Sequence, residues 1–425
     1  MDQPLNISLL TYGSRGDVEP FLALADGLTA AGHRVTLAAP ERYQTFLEND
    51  HVLYQGLPGD PGSLADDLRE RAGKNPLKLV TAMTRHVMPI AVDVFREAQK
   101  ASRGADIILH SFAMTDGGHT LARQERARDI SVQFFPVFQP TSQFPSIVFP
   151  DLPLGDTYRR LTHHLNTLVF RWGGRFMYAF LRRKHRSLPR LAEWPFAKKA
   201  PEIVPTFFAF SEHVIPKPPD WPEQVLITGY WHRQRAEGWQ PPERLTRFLK
   251  RHPQPVYISL GSMVPQPEKR LMELFIDVLE EVDSPGLISL GHPKEYAWAA
   301  RENVFITGPM PHDWIFPRTK AVLHHGGAGT TGAVMRSGVP GVVLPVSADQ
   351  FFWGKRAQAL QVSPKPIPFR ERSRENISDA LKQVINDPSF NHQAQNLGRK
   401  LRKENGVEQA IKEMERLYWG RRAQG

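Results

Sequence analysis

The sequence predicts an α/β protein in which two doubly wound, Rossmann-like domains face each other across a cleft. Strand-like apolar segments alternate with segments of helical periodicity in both halves of the chain. Such alternation is typical of parallel strands covered by helices. The chain has 425 residues, enough for two or three domains of roughly 100 to 200 residues. Two doubly wound halves place a ligand cleft outside the carboxyl ends of their strands.

The first series opens with a strand, a glycine turn and a helix. The strand is predicted over 5–11, the turn is Gly13–Asp17, and apolar residues recur at helical spacing over 21–28. Further elements follow in order: strands over 34–39, 106–109, 130–134, 206–210 and 225–228, and helices over 76–101 and 117–127.

The pattern changes between residues 135 and 190, which we interpret as an insertion. Proline and aromatic residues come first, and a long helical stretch rich in Arg, Lys, Trp and Phe follows. Over 158–190 this mixture is typical of a helix lying on a membrane surface. An ordinary amphipathic helix with a solvated charged face gives the same pattern. Nucleic-acid binding is disfavoured, because the segment has no recognisable nucleic-acid motif.

The second series begins with a strand and turn over 255–262. Its other strands are predicted over 287–290, 304–307, 321–324 and 341–344, and a basic helical tail begins near residue 376. The segment 233–248 is polar and rich in tryptophan and proline, so it is the predicted linker between the two series.

Composition narrows the classes of function. Lys and Arg total 54 against 44 Asp and Glu, a net charge of +10, which favours anionic partners such as a phosphorylated substrate or an acidic membrane. The absence of cysteine excludes disulfides, thiol nucleophiles and cysteine-ligated metals. The sequence shows neither a signal peptide nor an apolar run of about 18 residues. We therefore expect a cytoplasmic protein with peripheral membrane contact.

A glycine-rich segment, 324–332, lies where a predicted strand gives way to a helix. Glycines allow close backbone approach, and the amino end of a helix attracts anions, so we predict a phosphate site. Residues 327–332 also read G-x-G-x-x-G, and with Asp349 they suggest a nicotinamide cofactor. Gly338 and Pro340 cut the helix short and argue against that alternative. A merely tight turn is the third interpretation.

Five short motifs are spread along both halves of the chain. They are 13–20, 261–263, 311–317, 324–331 and 338–350. Together they resemble the sequence motifs of the family 1 glycosyltransferases. Their sequences are most similar to those of the sterol glucosyltransferases and the bacterial antibiotic glycosyltransferases. The resemblance implies the GT-B fold, with an acceptor-binding domain over 1–232, a linker over 233–248, a nucleotide-sugar domain over 249–408, and a terminal helix over 409–425 that packs back on the first domain.

The same resemblance implies direct displacement with inversion at the sugar's anomeric carbon. It assigns the diphosphate contacts to His325, Gly327, Gly329 and the Thr330 hydroxyl, since a positive helix end can replace a metal ion. Ser262 is a further phosphate contact or a helix cap. No Asp-x-Asp pair occurs in the chain, so we expect no metal and no cofactor besides the sugar donor.

Three more donor contacts are implied. Trp314 lies near the segment that binds the nucleobase in relatives, and packing is an equally good interpretation. Asp349 and Gln350 stand where relatives hold the sugar hydroxyls, for which a carboxylate and an amide offer several hydrogen bonds. Asp349 is alternatively a helix cap.

The general base is assigned by resemblance to Asp17, although an aspartate at the start of a helix is ordinarily a cap. Asp116 is the alternative base. It lies with His110 and His119 beyond the third predicted strand of the first series. The candidate acceptor contacts are Gly16, Phe135 and Phe138.

The sequence therefore predicts an inverting, metal-independent transferase. It would move a hexose from a UDP- or dTDP-sugar to a hydroxyl of a sterol, a terpenoid lipid or a natural-product aglycone. Two alternatives stay open: a catalytically inactive nucleotide-sugar-binding partner protein, and a nucleotide-sugar epimerase of the same fold.

Overall fold

The computed structural model describes residues 3–60, 88–186, 188–196, 203–233, 238–261, 267–346 and 348–422. The chain divides into two compact units. The first comprises 1–210, 217–233 and 405–425, and the second comprises 211–216 and 234–404.

The first unit is built on a seven-stranded parallel sheet. Its strands are β1 (Asn6–Leu10), β2 (Arg34–Pro40), β3 (Val52–Leu57), β4 (Ile107–His110), β5 (Arg128–Gln133), β6 (Thr206–Phe208) and β7 (Val225–Ile227). They lie in the order β3-β2-β1-β4-β5-β6-β7. The order reverses between β1 and β4, where Leu10 stands opposite His110. The loops that leave these two strands therefore flank the position where ligands bind in doubly wound sheets.

In the described part of the first unit, four helices precede the second sheet. They are α1 (Arg15–Ala30), α2 (Met88–Ser102), α3 (Thr115–Glu125) and α4 (Gly155–Lys184). Helix α1 turns Phe21, Leu22 and Leu28 inward, and all three are fully buried. Phe21 and Leu28 are seven residues apart, which places them on the same face of the helix. Helix α4, at 30 residues, is the predicted insertion helix.

The second unit holds a five-stranded parallel sheet. Its strands are β8 (Val256–Ser259), β9 (Gly286–Ser289), β10 (Val304–Thr307), β11 (Ala321–His324) and β12 (Gly341–Val343), in the order β10-β9-β8-β11-β12. Ser259 pairs with His324 at the ends of β8 and β11, where the order reverses. The two parallel, doubly wound sheets confirm the predicted fold class.

Seven helices accompany this second sheet among the residues that the structure describes. They are α5 (Glu243–Arg251), α6 (Lys269–Glu281), α7 (His312–Ile315), α8 (Ala328–Ser337), α9 (Ala348–Ala359), α10 (Arg374–Asn386) and α11 (Pro388–Leu401). Helix α5 begins inside the segment predicted as a linker, of which residues 234–237 lie outside the described part of the chain.

The last helix, α12 (Gly406–Arg422), belongs to the first unit and packs on α1. A side chain at Gly27 of α1 would approach Val407 to 2.4 Å, so glycine permits the close contact. His33 Nε2 lies 3.1 Å from Glu415 Oε1, and the Tyr418 hydroxyl donates to Asp106 at 3.2 Å. In the described part of the chain every helix is too short or too polar to span a bilayer.

Candidate active site

The glycine-rich segment lies at the reversal of strand order in the second sheet. Strand β11 ends at His324, and α8 begins at Ala328 with Gly327 as its N-cap. The neighbouring strand β8 leads into Gly261. The loops after β8 and β11 therefore meet where ligands bind in folds of this kind.

His325 is enclosed by glycines from both loops. A Cβ atom at Gly261 would lie 2.9 Å from His325 Cε1, and one at Gly327 would lie 2.5 Å from Nε2. The imidazole occupies the space that side chains would otherwise fill. Nδ1 of His325 is buried and makes no hydrogen bond within the described residues. Burial lowers the pKa of His325 to about 4, so the ring is neutral near pH 7.

The amino end of α8 supplies donors beside this ring. The first helical hydrogen bond runs from Thr331 N to Gly327 O at 2.9 Å, so the amides of Ala328, Gly329 and Thr330 precede it. Gly329 is exposed, and no atom comes within 4 Å of a Cβ built there. The aligned amides carry the positive end of the helix dipole. This helix end can therefore hold an anion.

His324 acts on the loop itself. Its side chain is buried, and its Nδ1 accepts a hydrogen bond from Gly326 N at 3.1 Å. Gly326 has φ +87°, and a Cβ there would lie 2.6 Å from Val343. Burial lowers the pKa of His324 to about 3, which keeps Nδ1 an acceptor. The sequence alone does not distinguish the two adjacent histidines. In the structure His324 positions the loop, and His325 lies at the open site.

The candidate sugar contacts lie at the start of α9. Gln350 is buried, and its Oε1 accepts from Val346 N at 2.7 Å, so this oxygen already holds the preceding loop. Asp349 is partly exposed in the first turn of the helix. Its position suits either a contact to a polyol or a favourable interaction with the helix dipole.

Replacing Gln350 by alanine is expected to destabilise the loop by about 1–2 kcal/mol, because the amide of Val346 would lose its partner. The free energy of unfolding, measured by urea titration, checks this. Gln358→Ala, at an exposed position of the same helix, is the matched control. Equal stability of the two variants would show that the hydrogen bond contributes nothing.

Trp314 is held by contacts within the second unit. The Arg318 guanidinium lies 4.5 Å from the centre of the indole ring, and Trp239 meets the ring edge-on at 5.3 Å. Arg318 also donates to Trp314 O at 2.6 Å. These contacts favour the packing interpretation, and the nucleobase contact stays a prediction. Ser262 lies outside the described residues.

Asp17 forms a capping box at the start of α1. Its Oδ2 accepts hydrogen bonds from Ser14 N at 2.7 Å and Ser14 Oγ at 3.0 Å. A Cβ at Gly13 would lie 2.3 Å from the same oxygen, so glycine is needed for the carboxylate to fold back. Asp17 is partly exposed and Gly16 is exposed. The cap therefore orients a carboxylate at the mouth of β1, and it leaves a catalytic role open.

Asp116, the alternative base, is engaged in an ion pair. It lies in the first turn of α3, and Arg175 of α4 donates to its Oδ1 at 2.9 Å. Arg175 also donates to Ala192 O at 2.6 Å. Burial raises the pKa of Asp116 and outweighs the opposing effect of Arg175. The pair joins α3 to the insertion helix.

His110 and His119 converge on a third residue, Asp129 at the start of β5. His110 Nε2 lies 2.9 Å from Asp129 Oδ1, and His119 Nδ1 makes a short hydrogen bond to Oδ2. Both histidines are buried. A Cβ at Gly118 would lie 2.4 Å from His110 Cβ, so glycine lets the ring pack. Within the described ranges, no cluster of His, Asp and Glu side chains is arranged to hold a metal ion.

Asp129 is therefore expected to stabilise the first unit. Burial would raise the pKa of this carboxyl group, but the two histidines outweigh burial and hold it below its usual value. A carboxylate with a depressed pKa stabilises above the unfolded pKa of about 4 and loses that contribution as the pH falls below it. Asp129→Asn should lower the free energy of unfolding by about 2 kcal/mol near pH 7, and by less at about pH 3.

Urea unfolding at the two pH values checks this prediction. Asp93→Asn is the control, because Asp93 is an exposed carboxylate paired with Arg96. If the loss of stability in Asp129→Asn is as large at about pH 3 as near pH 7, the loss comes from altered packing and not from the lost charge.

An aromatic cluster lies near the carboxyl end of β4. Its members are Phe112, Phe135, Phe138, Phe170, Trp194 and Phe196. Phe138 is central: it stacks on Phe112 at 5.4 Å and meets Trp194 edge-on at 5.2 Å. It also has φ +61°, which is unusual for a bulky residue. Strain of this kind persists where the surroundings fix it, often at binding sites.

Known families match both units. Residues 7–106 match the glycosyltransferase family 28 N-terminal domain, and residues 273–415 match the erythromycin biosynthesis protein CIII-like C-terminal domain. The O-mycaminosyltylonolide 6-deoxyallosyltransferase of Streptomyces fradiae is 32% identical over 418 residues, which cover 96% of each chain. The chain belongs to this family of glycosyltransferases.

Other relatives of this glycosyltransferase are named as sterol glucosyltransferases. A sterol 3-beta-glucosyltransferase of Arabidopsis thaliana is 31% identical over 418 residues, 96% of this chain and 67% of the plant protein. The chain spans about two thirds of the plant relatives and 28% of a Glomerella lagenarium sterol 3-beta-glucosyltransferase. The motif resemblance to the sterol and antibiotic branches is thereby confirmed.

Solved structures of glycosyltransferases share the fold. The kitacinnamycin glycosyltransferase superposes with a TM-score of 0.71 at 18% identity, covering 98% of this chain and 99% of the other. Streptomyces sp. SF2575 glycosyltransferase SsfS6, complexed with thymidine diphosphate, gives 0.58 at 17% identity, with 96% and 99% covered. These likenesses establish the GT-B fold of this glycosyltransferase.

Proposed function

We propose that the chain transfers a hexose from a UDP- or dTDP-sugar to a hydroxyl of an apolar acceptor, with inversion and without a metal or other cofactor. The observation that carries the proposal is the position of His325 between Gly261 and Gly327, beside the amino end of α8. A neutral imidazole and several backbone amides form a site for a diphosphate. Thymidine diphosphate bound to SsfS6 supports a nucleoside diphosphate as the ligand.

The chemical step needs a base for the acceptor. In our proposal the acceptor hydroxyl gives its proton to Asp17 while its oxygen attacks the anomeric carbon of the donor sugar. The bond between that carbon and the diphosphate oxygen breaks with its electron pair going to the diphosphate. Attack opposite the leaving group inverts the anomeric configuration, and the capping box with Ser14 keeps the carboxylate oriented.

The leaving diphosphate gains negative charge as the bond breaks. The amides of Gly327, Gly329 and Thr330, with the Thr330 hydroxyl, are the proposed donors to it, together with His325. Donors placed before the reaction stabilise developing charge without reorganising. Asp349 is the proposed contact to the sugar hydroxyls, with the NH₂ group of Gln350 beside it. Ser262 is a proposed phosphate contact and Trp314 a proposed nucleobase contact.

The acceptor is proposed to be a hydroxylated apolar molecule such as a sterol or a macrolide aglycone. The relatives named for sterols and for a macrolide sugar transfer support this class. So does the aromatic cluster, in which Phe135 and Phe138 are the proposed acceptor contacts with Gly16 at the α1 turn. Aromatic side chains supply large apolar area with defined geometry.

We further propose that α4 contacts an anionic membrane. One face of this helix carries exposed apolar side chains, including Trp172 at 63% exposure and Phe176 at 75%. Amphipathic helices of this kind bury such a face at the lipid interface. Sedimentation with anionic and neutral vesicles at low salt tests the contact, and equal binding to both would contradict it.

Calorimetric titration of the purified protein with UDP, dTDP, GDP and NAD, with a chelator present, tests the donor site. Binding of UDP or dTDP but not NAD is expected, and product analysis with sterol and macrolide aglycones then identifies the transfer. Binding of NAD alone would contradict the proposal. Conversion of the donor sugar without an acceptor would indicate an epimerase. Donor binding with no chemistry on any acceptor would indicate an inactive partner protein.

A further inference from the structure

A cavity rich in arginine lies at the carboxyl end of α4. It has a volume of about 650 Å³ and is lined by the arginines 175, 182, 183, 186 and 190 together with Tyr178. This volume falls within the range of small-molecule sites, roughly 300–1,000 Å³. Five guanidinium groups around one cavity repel one another unless an anion lies between them.

Most of this charge has no acidic partner. Arg175 is paired with Asp116, and Arg182 donates through Nε to Leu188 O at 3.2 Å. Within the described ranges no carboxylate lies within ion-pair distance of Arg183, Arg186 or Arg190. All three are exposed. Guanidinium groups bind phosphate through paired N–H donors, so the cavity suits a phosphate group.

The cavity adjoins the apolar face of the same helix. We call this face the apolar stripe; its members are Leu161, Leu165, Leu168, Trp172, Phe176 and Phe180, all exposed. Spacings of three and four residues place them on one side of α4. Arg183 follows Phe180 by three residues and Phe176 by seven, so it continues the stripe into the cavity. Charge and apolar surface are therefore adjacent.

We infer that the cavity binds the phosphate of an anionic phospholipid while the apolar stripe lies among the acyl chains. A free phosphate or a nucleic acid would use the arginines alone and leave the adjoining apolar side chains in water. An anionic lipid satisfies both surfaces at once, because its headgroup and its chains are joined. This inference rests on the proposed membrane contact of α4 and adds a defined headgroup site to it.

The test is sedimentation of the full chain with phosphatidylcholine vesicles, with and without phosphatidylglycerol. The variant Arg183→Gln, Arg186→Gln, Arg190→Gln should lose roughly a hundredfold in binding to the anionic vesicles, on the basis of about fivefold per arginine. Arg103→Gln, Arg123→Gln, Arg270→Gln removes the same charge at exposed positions outside the cavity. This control should lose less than about fivefold, since distant charges are screened.

Equal losses in the two triple variants would overturn the headgroup site and indicate diffuse attraction. Calorimetric binding of inorganic phosphate as tight as vesicle binding, or preference for duplex RNA over vesicles, would overturn the lipid assignment. Arg186→Gln alone, outside α4, should lose about fivefold and guards against misfolding of the triple variant. The double variant Trp172→Ser, Phe176→Ser tests the apolar stripe separately. If it abolishes vesicle binding and the triple arginine variant does not, the membrane contact is supported and the headgroup site is contradicted. Wild-type protein that ignores anionic vesicles would contradict both.

Discussion

Asp17→Asn is expected to lower kcat by about 10²–10⁴-fold while donor binding persists. Removing a positioned general base typically costs this much. Asparagine retains an oxygen that can accept from Ser14 N, so the capping box should survive and the protein should melt at the wild-type temperature. Steady-state transfer to a soluble acceptor, together with titration of UDP and dTDP, separates kcat from donor affinity.

Two further variants decide what a loss in Asp17→Asn means. Glu19→Gln removes the next carboxylate of the same helix, which is paired with Arg15, and should leave turnover unchanged. Asp116→Asn tests the alternative base, and a loss confined to that variant would move the role there. Turnover of Asp17→Asn at the wild-type rate with saturating donor would contradict its assignment as the base.

Local patterning was enough to predict most strands of the two sheets. Strands β1 and β11 coincide with apolar runs that end in glycine turns, and both lie where the pattern places them. Strand β3 (Val52–Leu57) was missed. Only Val52 and Leu57 of this edge strand are buried and Leu53 is 69% exposed, so the segment lacks the continuous apolar run of a buried parallel strand.

Contacts between residues that are far apart in the sequence could not be predicted from local patterns. The sequence indicated His325 and the glycine turn at 261, but only the pairing of β8 with β11 brings them together. Asp129 was overlooked because an acidic residue before an apolar strand resembles a turn residue. Its role depends on His110 from the adjacent strand and on His119 from α3. The edge-on ring contact of Trp314 likewise comes from a distant residue, Trp239, which lies 75 positions earlier in the chain.

The unusual property of the proposed donor site is that its histidine is neutral before the ligand arrives. Burial alone lowers the pKa of His325 to about 4. A diphosphate bound beside the ring would favour the protonated imidazole and raise that pKa. The affinity for the diphosphate should therefore increase as the pH falls through the raised pKa of the complex toward about 4, the pKa of the free protein, and binding in that range should take up protons.

His325→Ala is expected to weaken UDP or dTDP binding by about 10–100-fold, the loss of one hydrogen bond to a charged group, and to reduce turnover as well. His325→Gln keeps an N–H donor that does not titrate, so it should retain more affinity but lose the histidine's part of the pH dependence. Calorimetry in buffers of different ionisation enthalpy counts the protons taken up. His392→Ala, exposed on α11, is the control, and the nucleotide's own titration cancels between wild type and His325→Gln. Identical proton uptake in those two proteins would contradict the role of His325 at the diphosphate.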